Sequence, residues 1–452
     1  MANVQDAIST LDMAGRQHNT RRIPEAFSER QVGQVLAIED SKVYKSFKPL
    51  RVVMAIFGLY HERKSGTQIH DVSAKRGEPG KQKVSALQVY SFIAVSYMWV
   101  HFIARGLVAF DGNESVANSE LYYKIMLAVW YLICALQATF CYCACHYNDR
   151  LPAIWRECAR LETDLPSVME AIKLDLKTKI AAAFVVFYNA INIVYMVYLM
   201  ANELTPVFLY PPFHYVVNVT VPSTEVTILN VFVAFSAFYT GLAAFVPYVI
   251  NILFCILFYT LFKAFNDEFK EEVQQALVTG EPLRVEFHRR RHLKLCKLFD
   301  IADRMFSFFL AYVLVLNTGL CCLICYMLIY HLDEVAGTPL DILVMASWVV
   351  QVVMQLGVVS IGAIVNDQAH SPLLELNEAQ LDIIPDNQLI PFQMFLNKLS
   401  VTPIGFSALG MFTMDKPTIL TIIGMFLTYF FLMIQFKPSD VTVPCAGNFT
   451  AT

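Results

Sequence analysis

The sequence predicts an all-α, polytopic membrane protein with seven transmembrane helices, its N-terminus cytoplasmic and its C-terminus extracellular. Three observations predict it. Of the 452 residues, 56% are hydrophobic and only 16% charged, against ~45–50% and ~25% in soluble domains. Seven stretches with few or no charges are long enough to cross a bilayer, which takes ~20 residues. Finally, 30 of the 34 Lys and Arg fall before the first stretch or in every second connection after it, and basic residues mark the cytoplasmic side.

Residues 1–85 are polar, hold 14 of the basic residues and contain no pattern expected of a cleavable signal sequence. A short apolar helix near 47–60, too brief to span, reads as an interfacial element ahead of the bundle. Residues 61–84, rich in Lys, Arg, Gly and Ser, read as a flexible linker. Residues 86–365 then supply six spans, Ala86–Phe110, Leu121–Tyr147, Ile180–Met200, Thr227–Phe262, Met305–Tyr330 and Ile342–Val365, expected to form a ligand-binding bundle.

The fourth span has 36 residues, ~54 Å of helix against ~30 Å of hydrocarbon, so it must tilt, bend or leave the membrane. Pro247 offers a place to bend. Beyond it, Phe265, Phe269, Val273 and Leu277 keep helical spacing up to a turn at Gly280, Glu281 and Pro282. Phe287, Leu293, Leu295, Leu298 and Phe299 then run into the fifth span, which predicts two packed helices projecting into the cytoplasm. Residues 366–414 include Leu389, Ile390, Phe392, Phe395 and Leu396, too apolar for a free loop, and complete a cytoplasmic helical anchor platform. Residues 415–436 form the last membrane helix, and 437–452 an extracellular tail.

The connections 111–120, 201–226 and 331–341 contain no Lys or Arg. The only N-glycosylation sequons begin at Asn113, Asn218 and Asn448, all in segments the charges place outside. Of 11 cysteines, only Cys445 lies clearly outside, so no extracellular disulfide is expected within one chain. Cys141, Cys143 and Cys145 suit apolar packing or palmitoylation, and their alternate spacing argues against zinc. His288 and His292 are separated by Arg289, Arg290 and Arg291, which would repel a metal ion. That run reads as a solvated juxtamembrane face able to meet anionic lipid headgroups.

In the last helix Thr421, Thr428 and Gln435 lie seven residues apart, and a helix drifts only ~20° per seven. One mildly polar face results, on a helix with Asp415 as N-cap and Pro417 in its first turn. Repeated by symmetry, such a stripe lines a conduit. Alternatively the Thr hydroxyls bond their own helix carbonyls.

Thr428, Tyr429, the five apolar residues Phe430 to Ile434, Gln435 and Phe436 resemble the signature of the insect gustatory receptors and their relatives in other invertebrates. The stretch Gly405 to Asp415 is similar to that family too, so the likeness covers about 30 residues near the chain end. The resemblance implies a tetrameric ligand-gated cation channel at the plasma membrane. Its last helix lines the pore, its ligand sits in the outer half of the bundle, and its subunits associate through the cytoplasmic platform. On that expectation Thr421, Thr428, Gln435 and Phe436 form pore and gate, and Tyr429 packs the helix on its neighbours.

Given the orientation, Asn192, Tyr195, Tyr239, Tyr326, Trp348 and Gln351 fall in the outer halves of the third to sixth spans, as candidate ligand-pocket residues. Each also suits a membrane interface or helix stitching. No carboxylate lies in the middle of a span, so the ligand class stays open among sugars, bitter compounds, carbon dioxide and other small organics. Coupled transporters carry intramembrane ionisable groups, and enzymes need a nucleophile with a base or clustered metal ligands; neither pattern occurs. A G-protein-coupled receptor has the opposite orientation. The expected function is a chemosensory channel with a small-molecule tastant, permeant cations and membrane lipids as partners. It would act as a homotetramer or with related subunits, without cofactor, metal or nucleic acid. The alternative is an accessory subunit of a heteromeric channel that binds no ligand itself.

Overall fold

The computed structural model describes residues 37–62, 84–109, 118–201, 224–330, 339–378 and 384–435. Almost all of them are helical. A 3-10 turn, Ile38–Asp40, leads to α1 (Lys42–Ser46) and α2 (Lys48–Ile56). The free N–H groups of Lys42 and Val43 at the start of α1 donate to the Glu162 carboxylate at 2.9 and 3.1 Å, a cap supplied from another helix. Phe47, Leu50 and Met54 are buried in the main core, so the short helix foreseen near 47–60 packs on the bundle through one face.

The bundle follows as α3 (Ala86–Ala109), α4 (Asn118–His146), α5 (Leu151–Asp164), α6 (Pro166–Glu170), α7 (Asp175–Ala201), α8 (Thr224–Thr279) and α9 (Val285–Tyr312). A π segment, Val313–Asn317, joins α9 to α10 (Thr318–Tyr330). After it come α11 (Pro339–His370), α12 (Pro372–Glu378), α13 (Leu389–Val401), a hairpin of β1 (Ser407–Ala408) and β2 (Phe412–Thr413), and α14 (Lys416–Gln435). Among the described residues six helices are long and apolar enough to cross a membrane, and α14 is a further, shorter apolar helix.

At 56 residues α8 is the axis of the molecule, packing on α4, α7 and α11. Its phenylalanines 245, 254, 258, 262, 265 and 269 are all fully buried. As the sequence spacing requires, α8 continues well past the apolar stretch, and the chain reverses at Gly280, whose φ of 72° suits glycine. α9 then packs back on α8.

We call the end of the bundle that carries this reversal the anchor end. Here the sequence reading needs correction. The basic run is not a solvated face: Arg290 is exposed, but His288, Arg291 and His292 are buried. Arg291 forms a two-pronged pair with Glu268, its Nη2 2.7 Å from Oε2, and His288 Nε2 lies 2.8 Å from the Glu272 carboxylate. The cause is helix phase, because positions 288, 291, 292 and 295 share the stripe that faces α8. Cys145 has histidine neighbours that its spacing does not reveal, since His61 and His146 stand 6.3 Å apart beside it. Even so, no group of three metal-ligating side chains forms among the described residues.

The stretch Gly405 to Asp415 folds as the β1–β2 hairpin, registered Ser407 to Thr413 and Ala408 to Phe412. Leu409 (φ 51°) and Gly410 (φ 69°) make its turn. Asp303 on α9 accepts the Ser407 N–H at 2.6 Å and its hydroxyl at 2.9 Å. Phe406 inserts among Phe258, Phe299 and Phe306. The hairpin thereby fixes where α14 starts. Asp415 Oδ1 accepts the Thr418 N–H at 2.9 Å and hydroxyl at 2.6 Å, the N-cap geometry expected of it.

Candidate functional site

Two regions bear on function: α14 and the polar interior of the bundle. α14 packs on its own chain chiefly through α10 and α11. Ile422 is buried, at 5% exposure, whereas Leu420, Tyr429 and Phe431 are 72%, 54% and 57% exposed. Thr421, Thr428 and Gln435 are exposed as well. The hydroxyl of Thr421 donates to Pro417 O at 3.1 Å and that of Thr428 to Gly424 O at 2.8 Å. Both hydroxyl protons are thus used within the helix, while the oxygens keep lone pairs free to meet water or a cation. Tyr429 is left about half open by its own chain. Phe436 lies outside the described residues, as do Asn113, Asn218 and Asn448.

The candidate pocket residues meet different partners. Asn192 on α7 donates to the Thr240 hydroxyl of α8 at 3.4 Å, and Tyr195 stacks on Tyr198 at 6.5 Å. Tyr239 meets the Tyr90 hydroxyl of α3 at 3.3 Å and lies 5.5 Å from the Tyr97 ring. Tyr326 is buried in a small cluster with Met126, Ile133, Leu320 and Ile324, between α4 and α10. Trp348 lies on α11, but its side chain is outside the described part. Gln351, also on α11, is 1% exposed and faces the buried Tyr248 hydroxyl. The candidates therefore occupy several helix seams; Asn192 and Tyr239 both adjoin the same turn of α8. A cavity of about 280 Å³, lined by Arg289, His292, Leu293, Met394, Phe395 and Lys398 among others, lies instead at the anchor end between α9 and α13.

A central polar layer, which sequence reasoning did not pick out as a unit, surrounds Tyr248. Asn317 Nδ2, at the end of the π segment, donates to the Tyr248 hydroxyl. The Thr318 hydroxyl donates to Leu314 O at 2.5 Å and accepts the Gln355 amide at 3.3 Å, and Cys321 Sγ–H reaches Gln355 Oε1 at 3.5 Å. Among the described residues no hydrogen-bond partner reaches the buried Asn317 Oδ1. Buried polar groups are ordinarily satisfied, so a layer of this kind marks a place for polar ligand atoms or water. Its sequence signal was weak, because single Asn, Gln and Tyr residues in apolar spans have no common spacing.

On the anchor side, Glu268 is held below the usual carboxylate range chiefly by its hydrogen bond to Arg291, and Asp415 by its bonds from Thr418. The ion pair of Lys416 Nζ with Asp367 Oδ2, 2.7 Å long, joins the first residue of α14 to α11.

Six long apolar helices and a further shorter one around a buried polar layer are the build of a multi-pass membrane protein. The family model described as 7tm Chemosensory receptor matches residues 47–440, and the chain belongs to that family. Its fold is similar to that of the insect olfactory receptor OR5 from Machilis hrabei, with a TM-score of 0.59 and 13% identity over 87% of this chain and 99% of that one. It is similar also to the same receptor in complex with eugenol, at 0.61 and 14%, over 87% and 98%. No curated protein sequence matches.

Proposed function

We propose that the chain is a gustatory-type chemosensory receptor subunit that assembles as a tetramer into a ligand-gated, weakly selective cation channel of the plasma membrane. The observation that carries this reading is α14: its three polar positions, Thr421, Thr428 and Gln435, all lie on surface that its own chain leaves uncovered. Four such helices around an axis would turn the stripe inward and cover the apolar flanks, Tyr429 included, with neighbouring copies. Gln435 and Phe436 would form the constriction, and the last-helix motif supports a gustatory over an olfactory role.

The N-terminus is cytoplasmic in this reading, because the anchor end carries the basic connections. Residues 86–365 form the ligand-binding bundle, 366–414 the anchor segment, and the sequons at Asn113, Asn218 and Asn448 would be glycosylation sites. The ligand is a small organic molecule bound between helices beyond the central layer, near Asn192, Tyr195, Tyr239, Tyr326, Trp348 and Gln351. The eugenol complex of the solved relative supports that size class. Ligand binding would favour an arrangement with the last helices moved apart, wetting the constriction.

Expression of the chain alone, with current recording during a broad tastant screen, tests the reading. Evoked current without a partner or G protein is expected. Current that requires a second receptor subunit would make this chain an accessory one, and no current in any combination would refute the channel.

A further inference from the structure

We propose that Gln137 is a positioning residue for the fourth span: its amide replaces the backbone donor that Pro247 lacks, and so latches α8 at its proline. In an α-helix each N–H bonds the carbonyl four residues back, so a proline at 247 leaves the Ala243 carbonyl without its donor. Ala243 is 1% exposed, and an unpaired carbonyl there would carry the full penalty of a buried polar group. Gln137, on α4, is fully buried at the same level. With its amide oriented by its partners, Nε2 donates to Ala243 O at 2.7 Å and to Ala244 O at 3.0 Å. Alanine at both positions keeps side chains out of the way, so a helix on the neighbouring seam reaches the bare backbone.

Pro247 lies beside an irregularity in a neighbouring span. Tyr248, the residue after the proline, accepts from Asn317, which closes the π segment of the fifth span. That span continues to Cys322, whose Sγ–H points to Phe426 O of α14 at 3.9 Å. On one side of Pro247, Ser236 and Thr240 of α8 meet Tyr131 and Asn192. On the other, α8 runs on to Thr279 at the anchor end. Helices bend at prolines and π-bulges, so two neighbouring spans have their bendable points at one depth, and Gln137 sets how freely the first bends. The chemistry of the latch stands on the contacts alone; its part in gating rests on the channel reading.

A double-mutant cycle tests it on the full-length protein. Gln137→Leu keeps the volume and removes the donor, while Pro247→Ala returns a backbone N–H to Ala243. Q137L is expected to lower the melting temperature of the detergent-purified protein by several degrees in the Pro247 background, and by less than half as much beside P247A. Hydrogen exchange of amides 236–251 should quicken in Q137L and return toward the parental rate in the double variant, with amides 285–300 unchanged. Equal melting shifts in both backgrounds overturn the latch. If Q137L alone does not accumulate, recovery of folded protein by P247A supports it and failure to recover overturns it. Currents of Gln435 variants judge the channel reading separately, so either idea can fail without the other.

Discussion

A methyl group at Gly405 would lie 2.5 Å from Thr413 Cγ2 and 2.8 Å from Asn366 Nδ2, both held by the packing of hairpin on helix. Gly405→Ala should therefore destabilise the protein by ~1–3 kcal/mol, as overpacking does, whereas Gly106→Ala, with nothing within 4 Å, should be neutral or stabilising. Thermal unfolding of the two purified variants distinguishes them. Asp415 and Glu268 make a second prediction. Their folded-state pKa values lie below the ordinary ones, so the ionised form is favoured by folding. The stability they contribute is complete above the unfolded value, ~3.9 for Asp and ~4.3 for Glu, and is lost as pH falls through the folded value. Melting temperature should be flat near neutrality with respect to both groups and drop below about pH 4. Asp415→Asn, which can still cap, should remove part of that drop. These residues differ in how far the sequence revealed them. Asp415 was legible as a cap because Pro417 and an apolar run follow it, but Gly405 owes its role to a side chain 39 positions away.

α14 is the element on which the channel reading turns. Because the Thr428 hydroxyl already donates to Gly424 O, Thr428→Val should leave folding within ~0.5 kcal/mol and single-channel conductance within about twofold. Gln435→Ala should change conductance or selectivity more than that, with surface expression retained, as single-channel recording would report. The helices themselves were well foreshadowed: the expected Ala86–Phe110 and Ile180–Met200 became α3 and α7 with ends moved by a few residues. Apolar length is a strong signal, since lipid and core impose it on every turn. The π segment was not legible, because Val313 to Asn317 contain nothing that distinguishes a wide turn from a regular one. Nor was the partner of Pro247 visible, since the sequence shows a missing donor but not which neighbouring span replaces it. The hairpin was read as part of an anchor segment without its strands, for two-residue strands leave no alternation to detect.

For the whole molecule, the channel reading has further copies of the chain cover the exposed face of α14 and the exposed apolar residues Ile390, Met394, Val401 and Met411. Native mass measurement in detergent should give four times the 51.2 kDa of one chain, and a monomeric mass under mild conditions would remove the basis for a shared pore. Treatment with a glycosidase should raise gel mobility if the sequon-bearing connections are outside. The expected topology rests on charge placement and the three sequons, and the expected assembly on the last-helix motif.

Since α14 lends a single quarter of the proposed conduit wall, a defect in it would not stay private to the copy that carries it. Equal co-expression of normal chains with a Gln435 variant unable to conduct would leave only about one sixteenth of tetramers free of the defect under random mixing. A heterozygous lesion on this helix would thus behave dominantly, while one that merely prevents folding would behave recessively.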